Sequence, residues 1–381
     1  MKMTRRGFVG TIGLGSAAGL LSSAGLTSRH ANAASYADEV VYDGGIMQLN
    51  QNESARGPGP KTMEAIRSHV TKRVGRGYAP DHVNELRSTL AEGYGVSTDN
   101  VILSTGSTPL LVGATRAFCS ENKPLATIDP TYTTAEQTAR GMGVEIRRVP
   151  VDSSSMGVDL DGLAKAAVGA GMVYFCNPNN PTGTVHSPAA VESFVRRVQR
   201  ESPNTWILID EAYINYAADE VMQTALPLAL EFENVFITRS FSKAHGMAGL
   251  RVGYGLAQKQ TLDAITAAWG MGDVNMLSAI AAITAFKDKE HIEWERQENT
   301  EIRAFVVAAF KDMGFEATNS HTNHIFVNLG RPAKEFRDAC LEYKILVGRD
   351  FPPFHNTHCR ISMGSREEMQ QAVEVFRKVL A

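Results

Sequence analysis

The residues around Lys243 carry the strongest chemical signal in this sequence. Lys243 ends the run Thr-Arg-Ser-Phe-Ser-Lys at residues 238–243, Arg251 lies eight positions further on, and Asp-Glu-Ala-Tyr stands upstream at residues 210–213. A lysine amine can form a Schiff base with an aldehyde, and a carboxylate can pair with the nitrogen of a pyridine ring. Hydroxyls and a guanidinium can bind a phosphate. Together these groups are the parts needed to hold pyridoxal 5′-phosphate (PLP).

The lysine segment also resembles that of the class I and II aminotransferases, the fold-type I PLP enzymes, and most of all their histidinol-phosphate aminotransferase-like branch. The resemblance implies an α/β fold, with a large domain built on a mainly parallel sheet covered by helices and a smaller C-terminal α+β domain. It implies a PLP-dependent transaminase that exchanges an amino group between an amino acid, or a related amine, and a 2-oxo acid. Its catalytic residues would be Lys243, which carries the Schiff base, with Asp210 and Tyr213.

Asp210 and Tyr213 follow the apolar run at residues 206–209, which reads as a buried strand. A buried carboxylate needs a cationic partner, and a protonated pyridine ring would supply one. A structural aspartate that caps a helix is the alternative for Asp210. The loop Asn-Pro-Asn-Asn-Pro-Thr-Gly at residues 177–183 occurs in the same family, and the resemblance assigns Asn180 to the phenolic oxygen of the cofactor. By itself such a loop is a rigid turn.

A second group of residues is expected at the phosphate of the cofactor. Helix starts bind phosphate through backbone N–H groups, and Gly106 would allow a close approach. The resemblance places the group Gly106, Ser107, Thr108, Ser240, Ser242 and Arg251 on this phosphate. It also places Tyr132 on the pyridine ring, although a core tyrosine is the alternative. Tyr78 matches a tyrosine that reaches the phosphate in the neighbouring subunit, which implies a homodimer with shared active sites.

The substrate is expected to meet a different set of side chains. Arg360 matches the family's arginine for the α-carboxylate, for which bidentate pairing is the physical reason, and a surface arginine is the alternative. The further substrate-binding candidates are Arg349, Asn52, Glu53 and Arg56. The branch usually has Asn-Glu-Asn-Pro-Tyr-Gly where residues 52–57 read Asn-Glu-Ser-Ala-Arg-Gly.

The elements that must position these residues alternate along the chain. Apolar runs at residues 101–103, 125–128, 172–176, 206–209 and 235–238 are separated by helical stretches, which indicates a mainly parallel sheet. Residues 279–309 read as one long helix, and residues 325–329 and 359–363 read as strands of the smaller domain. We expect an N-terminal arm with a first helix at 34–75, the large PLP-binding domain at 76–275 and the small domain at 276–381.

The N-terminus reads as a cleavable export signal. Thr-Arg-Arg-Gly-Phe at residues 4–8 resembles a twin-arginine motif, a weakly apolar stretch follows, and Ala-Asn-Ala at 31–33 matches a cleavage site. An amphipathic or disordered N-terminus is the alternative. We expect residues 1–33 to be the signal, the enzyme to be exported to the periplasm or another extracytoplasmic space, and no stable membrane insertion afterwards.

Composition narrows the remaining classes of function. The chain has 381 residues and a formal net charge of −3, which gives no sign of a nucleic-acid partner. Four cysteines without C-x-x-C spacing are expected to be buried free thiols. The histidine pairs at 321/324 and 355/358 are expected to be polar loop residues, so no metal site is predicted. Racemisation, decarboxylation, cyclisation or oxidation remain alternatives to transamination, and a PLP-binding protein without turnover remains the alternative from another class.

Overall fold

The computed structural model describes residues 45–72, 74–75 and 80–381, so the predicted signal and Tyr78 lie outside the described residues. The strands are β1 (Met47–Leu49), β2 (Val101–Ser104), β3 (Leu125–Asp129), β4 (Ile146–Pro150), β5 (Met172–Cys176), β6 (Trp206–Asp210), β7 (Val235–Ser240), β8 (Gly253–Leu256), β9 (Glu316–Ala317), β10 (His324–Asn328), β11 (Ile345–Val347) and β12 (His358–Ser362). The helices are α1 (Pro60–His69), α2 (Pro80–Tyr94), α3 (Thr108–Phe118), α4 (Thr134–Gly141), α5 (Leu160–Ala167), α6 (Pro188–Glu201), α7 (Leu226–Glu231), α8 (Lys259–Ala268), α9 (Met276–Lys287), α10 (Lys289–Asp312), α11 (Ala333–Glu342) and α12 (Arg366–Leu380).

A seven-stranded sheet in the order β2-β8-β7-β6-β5-β3-β4 forms the centre of the molecule. Only β8 runs against its neighbours, β2 and β7. Successive side chains of a strand face opposite sides of the sheet, and both sides are packed here. Val173 and Phe175 belong to the core on one face, whereas Met172 and Tyr174 belong to the core on the other. The predicted α/β fold with a mainly parallel sheet is confirmed.

The C-terminal part has its own sheet and its own core. Strands β12, β10 and β9 pair in that order and antiparallel, and α10, α11 and α12 contribute to a separate hydrophobic cluster. Strand β1 pairs parallel with β11, which ties the beginning of the described chain to this part. The expected domain limits at 75/76 and 275/276 remain a prediction.

One helix prediction was wrong. Residues 279–309 were expected to form a single helix, but α9 ends at Lys287 and α10 begins at Lys289. Asp288 between them has ψ near 71°, outside the helical range, and its buried carboxylate accepts a hydrogen bond from Lys61 on α1 at 2.8 Å. A tertiary contact therefore breaks a pattern that is helical in sequence.

The strands β1, β4, β9 and β11 are among those that the sequence analysis did not predict. The strand β4 lies at the edge of the large sheet and contains Arg147 and Arg148, which hide its apolar alternation. All four cysteines are buried and unpaired, which confirms the expectation of free thiols. In the part of the chain that the structure describes, no helix has the length and apolarity needed to cross a membrane.

Candidate active site

A cavity of about 690 Å³ lies where strands β5, β6 and β7 end. The arm, the start of α3, the lysine turn and the segment after β11 close its sides. The structure brings fourteen of the predicted site residues together as its lining: Asn52, Glu53, Ser107, Thr108, Tyr132, Asn180, Asp210, Tyr213, Ser240, Ser242, Lys243, Arg251, Arg349 and Arg360. Parallel strands direct the side chains that follow them to one edge of the sheet, which explains the convergence.

Lys243 lies in the turn after β7, partly open to the cavity but deep within the protein. Its Nζ donates to the backbone oxygens of Asn52 at 3.1 Å and Gln51 at 3.3 Å. Burial lowers the pKa of this amine to about 8, and Arg360 adds to the effect. At pH 7 roughly a tenth of the amine is therefore neutral, and so nucleophilic, far more than for an ordinary lysine.

Asp210 is the last residue of β6 and is almost fully buried. Its carboxylate accepts hydrogen bonds from the Tyr174 hydroxyl at 2.9 Å and the Thr238 hydroxyl at 3.0 Å. Burial raises its pKa, against the effect of these donors. Among the described residues, no basic side chain forms an ion pair with Asp210, although it lines the cavity. A cation in the cavity would supply the partner that a buried carboxylate requires.

Tyr213, Asn180 and Asn52 form a hydrogen-bonded group beside Lys243. The Tyr213 hydroxyl accepts from the side-chain amides of Asn52 at 2.9 Å and Asn180 at 3.4 Å. Burial raises the pKa of the phenol, so it stays protonated and keeps a proton to donate. Asn52 has a positive φ of 58° and is held on the other side by Ser362, whose hydroxyl donates to its Oδ1 at 2.8 Å.

The opposite end of the cavity is suited to a phosphate. Helix α3 begins at Thr108, after Ser107, and the first N–H groups of a helix have no partner within it. A Cβ on Gly106 would lie 2.3 Å from Nη2 of Arg251, so glycine is what lets this guanidinium reach the helix start. Ser240 and Ser242 line the same end. These donors and one cation form a cup for a phosphate dianion.

Two arginines lie at the far side of the cavity. Arg360 on β12 is buried, and its guanidinium donates to Oδ1 of Asn180 at 2.8 Å and to the backbone oxygen of Asn50. Its Nε has no hydrogen-bond partner. Arg349 is exposed, and the two guanidiniums lie 4.9 and 4.3 Å from the ring centre of Phe351. Burial lowers the pKa of Arg360 to about 10, so it remains charged at neutral pH.

Arg56 is the predicted substrate residue that the structure places elsewhere. Its Nε and Nη2 donate to the Glu295 carboxylate on α10 at 2.6 and 2.7 Å, and it does not line the cavity. Glu295 is completely buried, so it holds the guanidinium away from any substrate.

Sequence analysis also missed several residues that support the site, among them Tyr174, Thr238 and Ser362. Each of the three lies on a strand that the sequence predicts. No local pattern, however, shows which buried hydroxyl will contact a functional side chain. Among the described residues, no cluster of three or more metal-ligating side chains is found.

Comparison with known proteins decides the family. Residues 44–376 match the family model described as aminotransferase class I and II. This chain belongs to that family.

The relatives of this aminotransferase agree with the match. A histidinol-phosphate aminotransferase of Symbiobacterium thermophilum is 32% identical over 337 residues, which are 88% of this chain and 91% of the relative. The solved histidinol-phosphate aminotransferase of Sinorhizobium meliloti, in complex with PLP, is 28% identical with a TM-score of 0.79, over 88% of this chain and 90% of that one. Aspartate aminotransferase of Thermus thermophilus, solved with maleate, shares the fold at 19% identity and a TM-score of 0.76, over 88% and 91%.

The residues of the cavity fit PLP, the cofactor of this aminotransferase. The unpaired buried carboxylate of Asp210 suits the pyridine nitrogen, the cup at Ser107 and Arg251 suits the phosphate, and Lys243 lies between them in the lining. When bound, PLP supplies an aldehyde that accepts amino groups and a ring that withdraws electrons from the reacting carbon. Asp210 would pair with the ring nitrogen, Asn180 and Tyr213 would offer hydrogen-bond donors, and Lys243, with a pKa of about 8, would hold and release protons.

Proposed function

We propose that this aminotransferase takes an acidic α-amino acid as one of its substrates and exchanges its amino group with a 2-oxo acid. Arg360 binds the α-carboxylate and Arg349 binds the anionic group of the side chain. One observation carries the proposal. Two guanidiniums that have no carboxylate partner among the described residues flank Phe351 on the lining of the cavity that contains Lys243.

Arg360 is prepared for a carboxylate. Its side chain is buried, the amide oxygen of Asn180 fixes its orientation, and its Nε is left without an acceptor. A buried guanidinium without an anion is costly, and a substrate carboxylate removes that cost. The amino acid and the 2-oxo acid share this carboxylate, so one arginine serves both halves of the reaction.

Arg349 makes the site selective for a second anionic group. It is exposed at the cavity, and its distance to the Phe351 ring places it within about 9 Å of the Arg360 guanidinium. Glu53, like Asp210 an acid on the same lining, raises the pKa of Lys243 electrostatically and so acts at the amine. Glu295 binds Arg56 outside the cavity, so Arg349 is the predicted substrate-binding cation that remains for the side chain of the substrate.

Single-turnover half-reactions test this proposal. Holoenzyme is mixed with each of the twenty amino acids and with histidinol phosphate, and the formation of pyridoxamine 5′-phosphate is followed. We expect glutamate or aspartate to react fastest among the amino acids. Arg349→Gln is expected to lower kcat/KM for these acids about tenfold to a hundredfold, with little change for alanine, because a charged hydrogen bond is lost.

The matched variant is Arg360→Gln, which is expected to lower kcat/KM for acidic and neutral amino acids alike. Arg349→Lys keeps the charge but not the planar, bidentate geometry of arginine. Its kcat/KM for acidic amino acids is expected to lie between those of the wild type and Arg349→Gln. A preference for neutral amino acids, or equal losses for glutamate and alanine in Arg349→Gln, would contradict the role of Arg349.

We also propose two properties of the whole enzyme, a homodimer with shared sites and export by the twin-arginine route. The first is supported by the match of Tyr78 to the family's shared tyrosine, and the second by residues 4–8 and 31–33. Mixing Tyr78→Phe with Lys243→Ala subunits tests the dimer. Shared sites predict that a 1:1 mixture with random pairing regains about a quarter of the wild-type activity, because half of the dimers are hybrids with one intact site. Independent sites give no gain over the separate variants.

A further inference from the structure

A second cavity, of about 650 Å³, lies behind the turn that carries Lys243. Three segments contribute to both cavities. The residues Tyr213, Ser240 and Lys243 line the first cavity. Their near neighbours in the chain, Asn215, Arg239 and His245, line the second.

The alternation of side chains along strands explains this arrangement. The Thr238 hydroxyl binds Asp210, whereas the next residue, Arg239, binds Glu211 at 2.9 Å. Neighbouring residues of β6 and β7 thus serve opposite faces of the sheet, and the two cavities lie back to back across the same strands.

The second cavity contains an unpaired buried donor. His245 is 6% exposed, and its Nε2 lies 3.1 Å from the side-chain amide nitrogen of Asn215. Burial lowers the pKa of His245 to about 3, so the ring is neutral. With Nε2 accepting from the amide, the proton sits on Nδ1, and Nδ1 has no hydrogen-bond partner. A buried N–H without an acceptor points to an absent ligand that supplies one.

The charges around this cavity favour an anion at one end. Lys289 lines it and, within the described part of the chain, has no carboxylate at ion-pair distance. Of the acids on the lining, Glu293 is bound to Arg296 and Asp219 is exposed. Arg239 is held by Glu211 on one side and donates to the Tyr94 hydroxyl at 2.8 Å on the other.

The walls are aromatic. Tyr94, Tyr254 and Phe286 line the cavity, with ring centres of Tyr94 and Phe286 5.6 Å apart. The Lys289 ammonium lies 3.9 Å from the centre of the Phe286 ring, so the cation and the aromatic surface adjoin. A ligand with a flat apolar body and one negative group matches both features.

We propose that this second cavity binds a small aromatic carboxylate, with Lys289 and His245 at its carboxylate and the three aromatic rings at its body. Through the shared turn 243–245 its occupancy changes the affinity of the first cavity for PLP. The site is distinct from the substrate site because the two cavities have no lining residue in common.

Calorimetry with benzoate tests the site in the holoenzyme that carries both Arg360→Gln and Arg349→Gln, because neither arginine of the substrate site can then bind a carboxylate. We expect one benzoate per chain, with benzamide binding at least about tenfold more weakly because it lacks the charge. Lys289→Gln in the same background, at an exposed position, is expected to weaken benzoate by a similar factor. His245→Phe keeps a ring of similar shape and is expected to weaken it through loss of the Nδ1 donor.

Coupling is measured by PLP titrations of the same double variant as apoprotein, with and without saturating benzoate. We expect a change of about fivefold or more in the Kd of PLP, matched by the same factor in the Kd of benzoate between apo and holo forms. Absence of benzoate binding in the Arg360→Gln, Arg349→Gln double variant, or binding that Lys289→Gln and His245→Phe leave unchanged, would overturn the site. An unchanged Kd of PLP would overturn the coupling. Unchanged transamination in Lys289→Gln alone is expected, and loss of turnover in it would place Lys289 in the reaction instead.

Discussion

At the scale of single residues, the reactivity of Lys243 depends on burial and on opposing charges around its amine. Burial, Arg360 and Arg251 lower the pKa of Lys243, while Glu53 and Asp210 raise it. The result, about 8, is below the usual value for lysine by more than two units. The amine can therefore react and exchange protons near neutral pH without a separate base beside it.

The rate at which apoprotein captures PLP tests the pKa of Lys243. Only the neutral amine attacks an aldehyde, so we expect the rate to rise about tenfold per pH unit below pH 8 and to level off above it. Stopped-flow absorbance follows the capture, and borohydride reduction followed by peptide mapping must find the cofactor on Lys243.

Two substitutions should move this profile in opposite directions. Glu53→Gln removes a charge that stabilises the ammonium and is expected to shift the profile to lower pH. Arg360→Gln removes a repelling charge and is expected to shift it to higher pH. Identical profiles in both variants would show that burial alone sets the pKa.

At the level of elements, two contacts hold the sides of the active-site cavity. The arm is fixed to α10 because Glu295 accepts hydrogen bonds from Arg56, Ser54 and Tyr216. The segment before α3 is fixed against the start of β8 because Gly106 and Gly253 pack without side chains between them. A Cβ on Gly253 would lie 2.3 Å from the carbonyl carbon of Gly106.

Breaking the arm clamp is expected to cost stability as well as substrate affinity. Arg56→Met leaves the completely buried carboxylate of Glu295 without a cation, which typically costs about 3–5 kcal/mol. Urea denaturation measures the loss, and KM should rise because arm residues line the cavity. The double variant Arg56→Met with Glu295→Gln should recover part of the stability. Lys259→Met, which breaks an exposed pair with Asp263, is the control and should cost at most about 1 kcal/mol.

Gly106→Ala is expected to weaken cofactor binding more than it weakens the fold. Gly106 has φ near 84°, where a side chain is strained, and its new Cβ would displace Arg251 from the phosphate cup. We expect the Kd of PLP to rise about tenfold or more, by loss of a charged contact. Gly141→Ala, at a position with ordinary φ and open space, is the control and should leave the Kd unchanged.

At the scale of the molecule, the central sheet contributes residues to both cavities. The C-terminal part closes one side of the active-site cavity with Arg349 and Arg360. The arm pairs with β11 and the cavity takes Arg349 from the residues that follow this strand. Distant segments of the chain form the cavity together, so PLP can bind there only after the chain has folded. The proposed twin-arginine route carries folded proteins, so we expect the enzyme to receive PLP in the cytoplasm before it is exported.

Replacing both Arg5 and Arg6 by lysine tests the export route. We expect the variant to remain in the cytoplasm, loaded with PLP and with an uncut N-terminus, because the paired arginines are read by the export receptor. Fractionation and N-terminal sequencing measure this, and the wild-type mature chain should begin at or near Ala34. Arg29→Lys keeps the motif and should be exported normally. Export of the Arg5→Lys, Arg6→Lys variant at wild-type levels would contradict the route.

Much of the fold follows from local pattern. Continuous apolar strands separated by helices are readable because a sheet covered on both faces demands apolar residues throughout. The strands β5 and β6 were predicted to within one residue. Short strands such as β1 and the break at Asp288 were not, because each depends on a partner far away in the chain: β11 for the first and Lys61 for the second.

The sequence by itself determined the chemistry, since the types of residue at 210–213, 238–243 and 251 suffice to indicate PLP and the family. The tertiary structure decided which charges meet. In the sequence, Arg56 and Arg349 are equally good candidates for binding substrate. In the structure, Glu295 binds Arg56, whereas Arg349 lines the cavity. His245 reads as a neighbour of Lys243, but the turn directs it to the opposite side of the sheet. Ion pairs and cavities depend on contacts between distant segments, and no local pattern of residues encodes those distances.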